Sequence, residues 1–369
     1  LQSMPSDQGL YLPESFPQLS KDIIKSMESM SFIEQAQLVA KSLIGNNIEK
    51  KNIDDIVNDS FDFYVPLINL DDHLSVLELF HGPTLSFKDF GARFMARVMR
   101  YFTKGNSLNV LVATSGDTGS AVANGFLGID GINVFVLYPS GKVSNIQEKQ
   151  FTTLGNNIIP IEVKGNFDDC QRIVKSAFND TDINSQLHLT SANSINIARL
   201  IPQTFYYFHA YFKAMNQTKD IVFSTPCGNF GNITAGLIAK KMGLPIHMFL
   251  AATNKNDIVP QYFLTGNYNP KDSVSTISNA MDVGDPSNMK RIFDIYDDLN
   301  DMKQDILSWS FSDKATYAAM IEINKSFNYI MDPHGSVAYL AAMKFLKQNK
   351  KNNTKVIILE TAHPAKFMD

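Results

Sequence analysis

Cysteine is almost missing: Cys170 and Cys227 are the only two in 369 residues, far apart and outside any CxxC pair. That excludes a disulfide framework and a thiolate zinc site, and it points to a reducing compartment, expected to be the cytoplasm. A basic excess is missing too. The chain carries 33 Lys and Arg against 37 Asp and Glu, a formal charge of −4. No basic stretch offsets this, so neither nucleic acid nor an anionic membrane surface is an expected partner. No apolar run is long enough to span a bilayer, and the start shows no signal-peptide pattern. Leu1 and Asp369 are expected to be limits of this segment of chain rather than natural termini. The seven histidines (73, 81, 188, 209, 247, 334, 363) show no HExxH or other paired spacing, so no metal is expected. A GxSxG elbow, a P-loop and a GxGxxG turn are also lacking, which argues against a hydrolase and against ATP or NAD.

What is present is a long, apolar chain, 44% hydrophobic, with core enough for two or three domains. Residues 1–66 read as helical packing. Ser31-Phe-Ile-Glu34 has capping-box spacing ahead of a helix ending at Gly45, and a weaker helix runs from Asn52 to Phe61. From Val76 on, short apolar runs alternate with helical patterns: Val110–Ala113, Val134–Tyr138, Ile158–Val163, Ile221–Phe223, Ile246–Ala251 and Val356–Leu359. Such alternation predicts an α/β fold with mostly parallel sheets. Residues Asn254–Asn300, rich in Asn, Asp, Pro and Ser, read as a long loop covering a site.

The stretch Phe80-His-Gly-Pro-Thr-Leu-Ser-Phe-Lys88-Asp-Phe90 carries the first chemistry. A Gly82-Pro83 turn breaks a short strand, Ser86 offers an N-cap, and Phe87, Phe90, Phe94 and Val98 share a helix face. Lys88 falls in the first turn, where the helix dipole disfavours a cation, so a nucleophilic neutral amine is expected. The alternative is a surface lysine that happens to start a helix.

Ligands of open α/β sheets bind at the carboxyl ends of the strands. Three polar loops follow strands there. Gly228-Asn-Phe-Gly-Asn232 can converge backbone N–H groups on a phosphate monoester at a helix start, or is an ordinary glycine-rich turn. Thr114-Ser115-Gly116-Asp117-Thr118-Gly119 offers hydroxyls and amides to a small carboxylate, with Asp117 read as a cap or loop-shaping group; the alternative is a helix cap throughout. The third is Glu360-Thr361-Ala-His-Pro364. Asn193, Ser194, Asn196 and Arg199, with Lys142, are candidates for a second phosphate; the alternative is a helix cap plus a surface arginine.

Together, the Lys88 segment, the Thr114–Gly119 loop, the Gly228–Asn232 loop and the Thr361-Ala-His-Pro-Ala-Lys-Phe367 ending resemble the bacterial and fungal threonine synthases, fold-type II pyridoxal-phosphate enzymes. The resemblance runs from Gly9-Leu-Tyr-Leu-Pro13 to Phe367 and includes Ser191-Ala-Asn-Ser-Ile-Asn196 and Ser278-Asn-Ala-Met-Asp-Val283. That family normally has further residues at both ends. The resemblance implies a tryptophan synthase β-like fold with an N-terminal helical domain (1–66). It also implies a large cofactor-binding α/β domain (67–105 and 198–369, with the 254–300 insertion) and a small α/β domain (106–197). It implies a lyase of threonine biosynthesis that turns O-phospho-L-homoserine and water into L-threonine and phosphate. A related phospholyase or amino-acid dehydratase is the alternative. Lys88 is then the residue joined to pyridoxal 5'-phosphate and the proton shuttle. Gly228, Asn229, Phe230, Gly231 and Asn232 hold the cofactor phosphate, and Thr361 gives a hydroxyl to the pyridine nitrogen. Thr114–Thr118 take the substrate carboxylate, and Lys142, Asn193, Ser194, Asn196 and Arg199 its phosphate. A monomer is expected, with a dimer left open.

Overall fold

The computed structural model describes residues 9–103, 107–114, 116–215, 220–349 and 353–367. Its first five strands are β1 (Leu67–Asn69), β2 (Leu74–Glu78), β3 (Leu108–Ala113), β4 (Ile132–Pro139) and β5 (Ile158–Val163). The rest are β6 (Leu189–Ser191), β7 (Asp220–Pro226), β8 (Met248–Thr253), β9 (Ile306–Ser310) and β10 (Thr354–Glu360). They form two sheets, in the orders β1-β2-β10-β7-β8-β9 and β5-β4-β3-β6. Every pairing is parallel except β1 with β2. Parallel strands need helical crossovers, so buried runs such as Val356–Leu359 alternate with helices as the sequence predicts.

Packing divides the chain into two compact units. One comprises Asn46–Phe63 and Gly82–Pro202, with the described residues up to Tyr11; the other comprises Leu12–Gly45, Tyr64–His81 and Gln203–Asp369. In the first, Val110, Val112, Val134 and Val136 of the four-stranded sheet are buried against Ala92, Met95, Ala96 and Met99 of the helix Lys88–Thr103. The same helix turns Phe90 and Phe94 towards Phe61 and Phe63. This grouping differs from the division expected from sequence, which put residues 67–105 with the larger sheet and kept 1–66 whole. The reason is that the Lys88 helix has two apolar faces, and both are covered inside the first unit.

In the second unit, Leu74, Val76, Val222, Leu250, Val356 and Ile358 pack against Val337, Ala338, Ala341 and Phe345 of the helix Pro333–Gln348. Phe223 and Phe249 point to the other face, where Tyr207 meets both. The helix Phe32–Ile44 belongs here and begins with the expected capping box: Glu34 N donates to Ser31 Oγ and Ser31 N to Glu34 Oε2. Ser31→Ala is expected to lower stability by about 1 kcal/mol, read as a lower urea midpoint.

Residues 254–300 are not the open loop that their composition suggests. They hold the helices Ile258–Thr265 and Met289–Ile295 and the start of Leu299–Asp305. Polar side chains tie the rest down: Asn254 Nδ2 donates to Thr276 Oγ1 (2.8 Å) and to Asp282 Oδ1 (2.9 Å). Asn256 Nδ2 donates to Val274 O at 2.9 Å. The Asn and Asp that read as loop-formers are internal hydrogen-bond partners.

Candidate active site

The second unit presents its polar loops at one edge. Strands β2, β10, β7 and β8 are neighbours and parallel, so their carboxyl ends coincide. β7 runs out into Cys227-Gly228, and Ile358 of β10 pairs with Ser224 of β7, which puts Thr361 level with the start of the glycine loop.

After β7 the chain turns through Gly228 and Asn229 into the helix Gly231–Lys241. The bend is made by Phe230, at φ 59° and ψ 12°. Neither glycine of this loop has a positive φ, so the left-handed residue is not a glycine. Gly228 is required by space instead: a Cβ there would lie 2.8 Å from Ala280 O and 3.0 Å from Met281 Cα. Asn232 folds inward, its Nδ2 donating to Pro226 O (2.7 Å) and its Oδ1 accepting from Ile233 N. Among the described residues, the amides of Gly228, Asn229, Phe230, Gly231 and Asn232 donate to no protein acceptor. Five consecutive amides without acceptors, at the start of an 11-residue helix, fit a phosphate monoester.

Thr361 is buried, and its hydroxyl makes no hydrogen bond among the described residues. Glu360 beside it is fully buried, and burial followed by the charge of Asp332 pushes its carboxyl well above the usual range. The Thr361 hydroxyl, a neutral group, stands at the end of this strand, which suits a ring nitrogen that receives no full negative charge. Loop and hydroxyl together fit pyridoxal phosphate.

The first unit holds Lys88, the first residue of its helix. Its Nζ lies 3.7 Å from Asp117 Oδ2 and 6.0 Å from the Phe87 ring centroid. Ser86 does not cap the helix; its Oγ is buried without a partner among the described residues. The turn before Lys88 is fixed by Asp89 instead, which accepts from Thr84 N (2.9 Å) and Thr84 Oγ1 (2.6 Å). A Cβ at residue 82 would collide with that carboxylate, so the Gly82-Pro83 turn needs its glycine.

The other predicted residues divide. Thr114 Oγ1 accepts from Gly116 N (2.9 Å) and from Gly119 N (2.8 Å) in the first turn of the helix Asp117–Phe126, so this hydroxyl is committed inside the loop. Asp117 is that helix's first residue rather than its cap, and it accepts from Gln147 Nε2 at 2.8 Å. Ser115 lies outside the described residues. Thr118 is half-buried, and its hydroxyl makes no hydrogen bond among them. Lys142 is exposed, and Asn193 and Ser194 are half-buried.

Asn196 takes the capping role of the alternative reading, whereas Arg199 is buried rather than on the surface. Asn196 caps the four-residue helix Ile197–Leu200 through Ala198 N and donates to Ser191 O. Arg199 is 5% exposed and donates to Ala192 O at 2.7 Å. Burial brings its guanidinium down to about 10, and the charge of Asp89 opposes that fall. Its carbonyl lies against Gly91 of the Lys88 helix. Both side chains hold the unit together.

Sequence reasoning did not single out Asp89, Gln147, Asn288 or Arg291. Asp89 follows Lys88 directly, yet only the fold turns it back to Thr84.

A family model described as pyridoxal-phosphate dependent enzyme matches residues 65–361, and one described as threonine synthase N terminus matches residues 1–61. The threonine synthase of Haemophilus influenzae is 44% identical over 373 residues, covering 100% of this chain and 85% of that protein. The crystal structure of threonine synthase from Escherichia coli matches with a TM-score of 0.92 at 41% identity, covering 99% of this chain and 85% of that one. The pyridoxal-phosphate-bound threonine synthase from Brucella melitensis matches with a TM-score of 0.92 at 33% identity, with coverage of 99% and 85%. The chain belongs to the threonine synthase family of pyridoxal-phosphate-dependent enzymes.

Proposed function

We propose that this chain converts O-phospho-L-homoserine and water to L-threonine and phosphate. The observation that carries the reading, beside family membership, is the run of five acceptor-free amides level with the Thr361 hydroxyl on adjacent strand ends. The amides of Gly228, Asn229, Phe230, Gly231 and Asn232 hold the cofactor phosphate, Thr361 faces its ring nitrogen, and Lys88 is the residue joined to it. The bound cofactor supplies an electron-withdrawing ring that lowers the barrier to removing a proton from the substrate Cα.

Lys88 Nζ takes the Cα proton and serves the later transfers at Cβ and Cγ, with phosphate leaving from Cγ and water adding at Cβ. Asp117, held by Gln147, keeps the lysine amine oriented. The amides at the start of the Asp117–Phe126 helix and the Thr118 hydroxyl receive the substrate carboxylate. Lys142, Asn193 and Ser194 remain for the substrate phosphate, whereas Asn196, Arg199 and Thr114 act by holding the loops in shape.

We also place the enzyme in the cytoplasm as a monomer. Cys170 and Cys227 are both free and buried, which suits a reducing compartment. Light scattering on the eluting protein reads the mass.

The purified protein with pyridoxal phosphate is expected to release phosphate and threonine in equal amounts from O-phosphohomoserine. It is expected to leave threonine and O-acetylserine largely untouched. Turnover of either of those without phosphate release from phosphohomoserine would replace this reading with a dehydratase or β-replacement activity.

A further inference from the structure

The helix Met289–Ile295 begins after Asn288, a residue type that ordinarily caps a helix with its side chain. Asn288 does not. Its Nδ2 donates to Asn229 O at 2.9 Å, and its backbone N reaches the same oxygen at 3.3 Å. Its Oδ1 accepts from Arg291 Nη1 at 2.5 Å. Ser287 adds Oγ and N to Asn229 Oδ1, at 3.2 and 3.4 Å. Asn288 and Arg291 are both fully buried. A capping amide has thus been turned away from its own helix and towards the loop that follows β7.

This contact has a directional consequence. A trans peptide holds its C=O and the next N–H in one plane, pointing in opposite directions. With Asn229 O held by Asn288, the Phe230 N–H must point away from Asn288. Phe230 is also left-handed, a conformation that a non-glycine residue keeps only when its surroundings enforce it. The guanidinium of Arg291, lowered by burial only to about 10, stays charged at neutral pH. Its charge draws electron density away from the Asn229 carbonyl through Asn288, which makes the Phe230 N–H a stronger donor.

We infer that Asn288 and Arg291 are positioning residues for the cofactor phosphate, fixing and polarising the Asn229–Phe230 peptide without touching the ligand. The inference rests on the reading of Gly228–Asn232 as the phosphate loop. It assigns to the 254–300 insertion a part in cofactor affinity, rather than only in covering a site. It also explains the Asp-Pro-Ser-Asn288 approach to a helix that lacks a side-chain cap.

The test compares pyridoxal 5'-phosphate with pyridoxal, which lacks the phosphate, by absorbance titration of the cofactor-free protein. Asn288→Ala and Arg291→Met are each expected to weaken pyridoxal phosphate roughly tenfold or more while changing pyridoxal less than about twofold. Arg291→Lys, which keeps the charge, is expected to recover part of the loss. Asn288→Ala removes less buried volume and carries the test if Arg291→Met does not fold. Unchanged affinity for pyridoxal phosphate in a folded variant would overturn the inference, as would equal weakening of both ligands, which marks a general structural role. A wild-type protein that binds pyridoxal phosphate no better than pyridoxal would overturn the phosphate-loop reading itself.

Discussion

Lys88→Ala protein, supplied with excess pyridoxal phosphate, is expected to lose activity on O-phosphohomoserine by roughly a thousandfold or more and to lose the visible absorption of the wild type. Three proton transfers are assigned to this one amine, so no neighbouring group takes over when it is removed. Lys88→Arg separates charge from function. Arginine keeps a cation opposite Asp117, whose carboxylate lies 3.7 Å from Lys88 Nζ. Because a guanidinium stays protonated, it can neither attack a carbonyl carbon nor accept a proton at working pH. The arginine variant is therefore expected to match wild-type stability and to be as inactive as the alanine variant. Activity within about tenfold of wild type in either protein would remove Lys88 from the chemistry.

Asp89→Ala is expected to give the largest loss of stability, about 3–5 kcal/mol, read as a lower urea midpoint of the cofactor-free protein. Asp89 is fully buried, accepts two hydrogen bonds from Thr84 and offsets the charge of buried Arg199. Truncation leaves a buried guanidinium and two donors short of an acceptor. Set against a total stability of about 5–15 kcal/mol, that is a large fraction. Asp89→Asn keeps the volume and one acceptor, and a smaller loss is expected. Activity should fall with stability in both variants, because the turn that Asp89 fixes leads directly into Lys88. A shift below about 1 kcal/mol would mean that the buried carboxylate does not hold this turn.

The legible features were local ones. Strand ends followed by small polar loops, the capping box at Ser31 and the helix opening at Lys88 depend on residues within a few positions of one another, and each stands where the sequence put it. What was not legible depends on distant partners. Asn196 and Arg199 have side chains suited to phosphate, yet their roles are set by Ser191, Ala192 and Gly91, brought close only by the fold. Phe230 takes the left-handed conformation that glycine normally takes, and nothing in Gly-Asn-Phe-Gly-Asn announces it. β1 has three residues, one half-buried and two exposed, so no buried apolar run marked it. β9 is mostly half-exposed and was missed for the same reason. In 254–300, composition favoured a loop, whereas Asn254, Asn256, Thr276 and Asp282 satisfy one another. Polar residues that pair with each other stabilise structure, and a single sequence does not show the pairing.

The central claim is that Lys88 carries the cofactor. Borohydride reduction of the pyridoxal-phosphate-loaded protein, followed by peptide mass spectrometry, reads this directly, because reduction fixes the cofactor to whichever amine holds it. The label is expected on the peptide containing Lys88, in a protein that releases phosphate from O-phosphohomoserine before reduction and is inactive after it. A label on another lysine, or an active protein that takes no label, would contradict it.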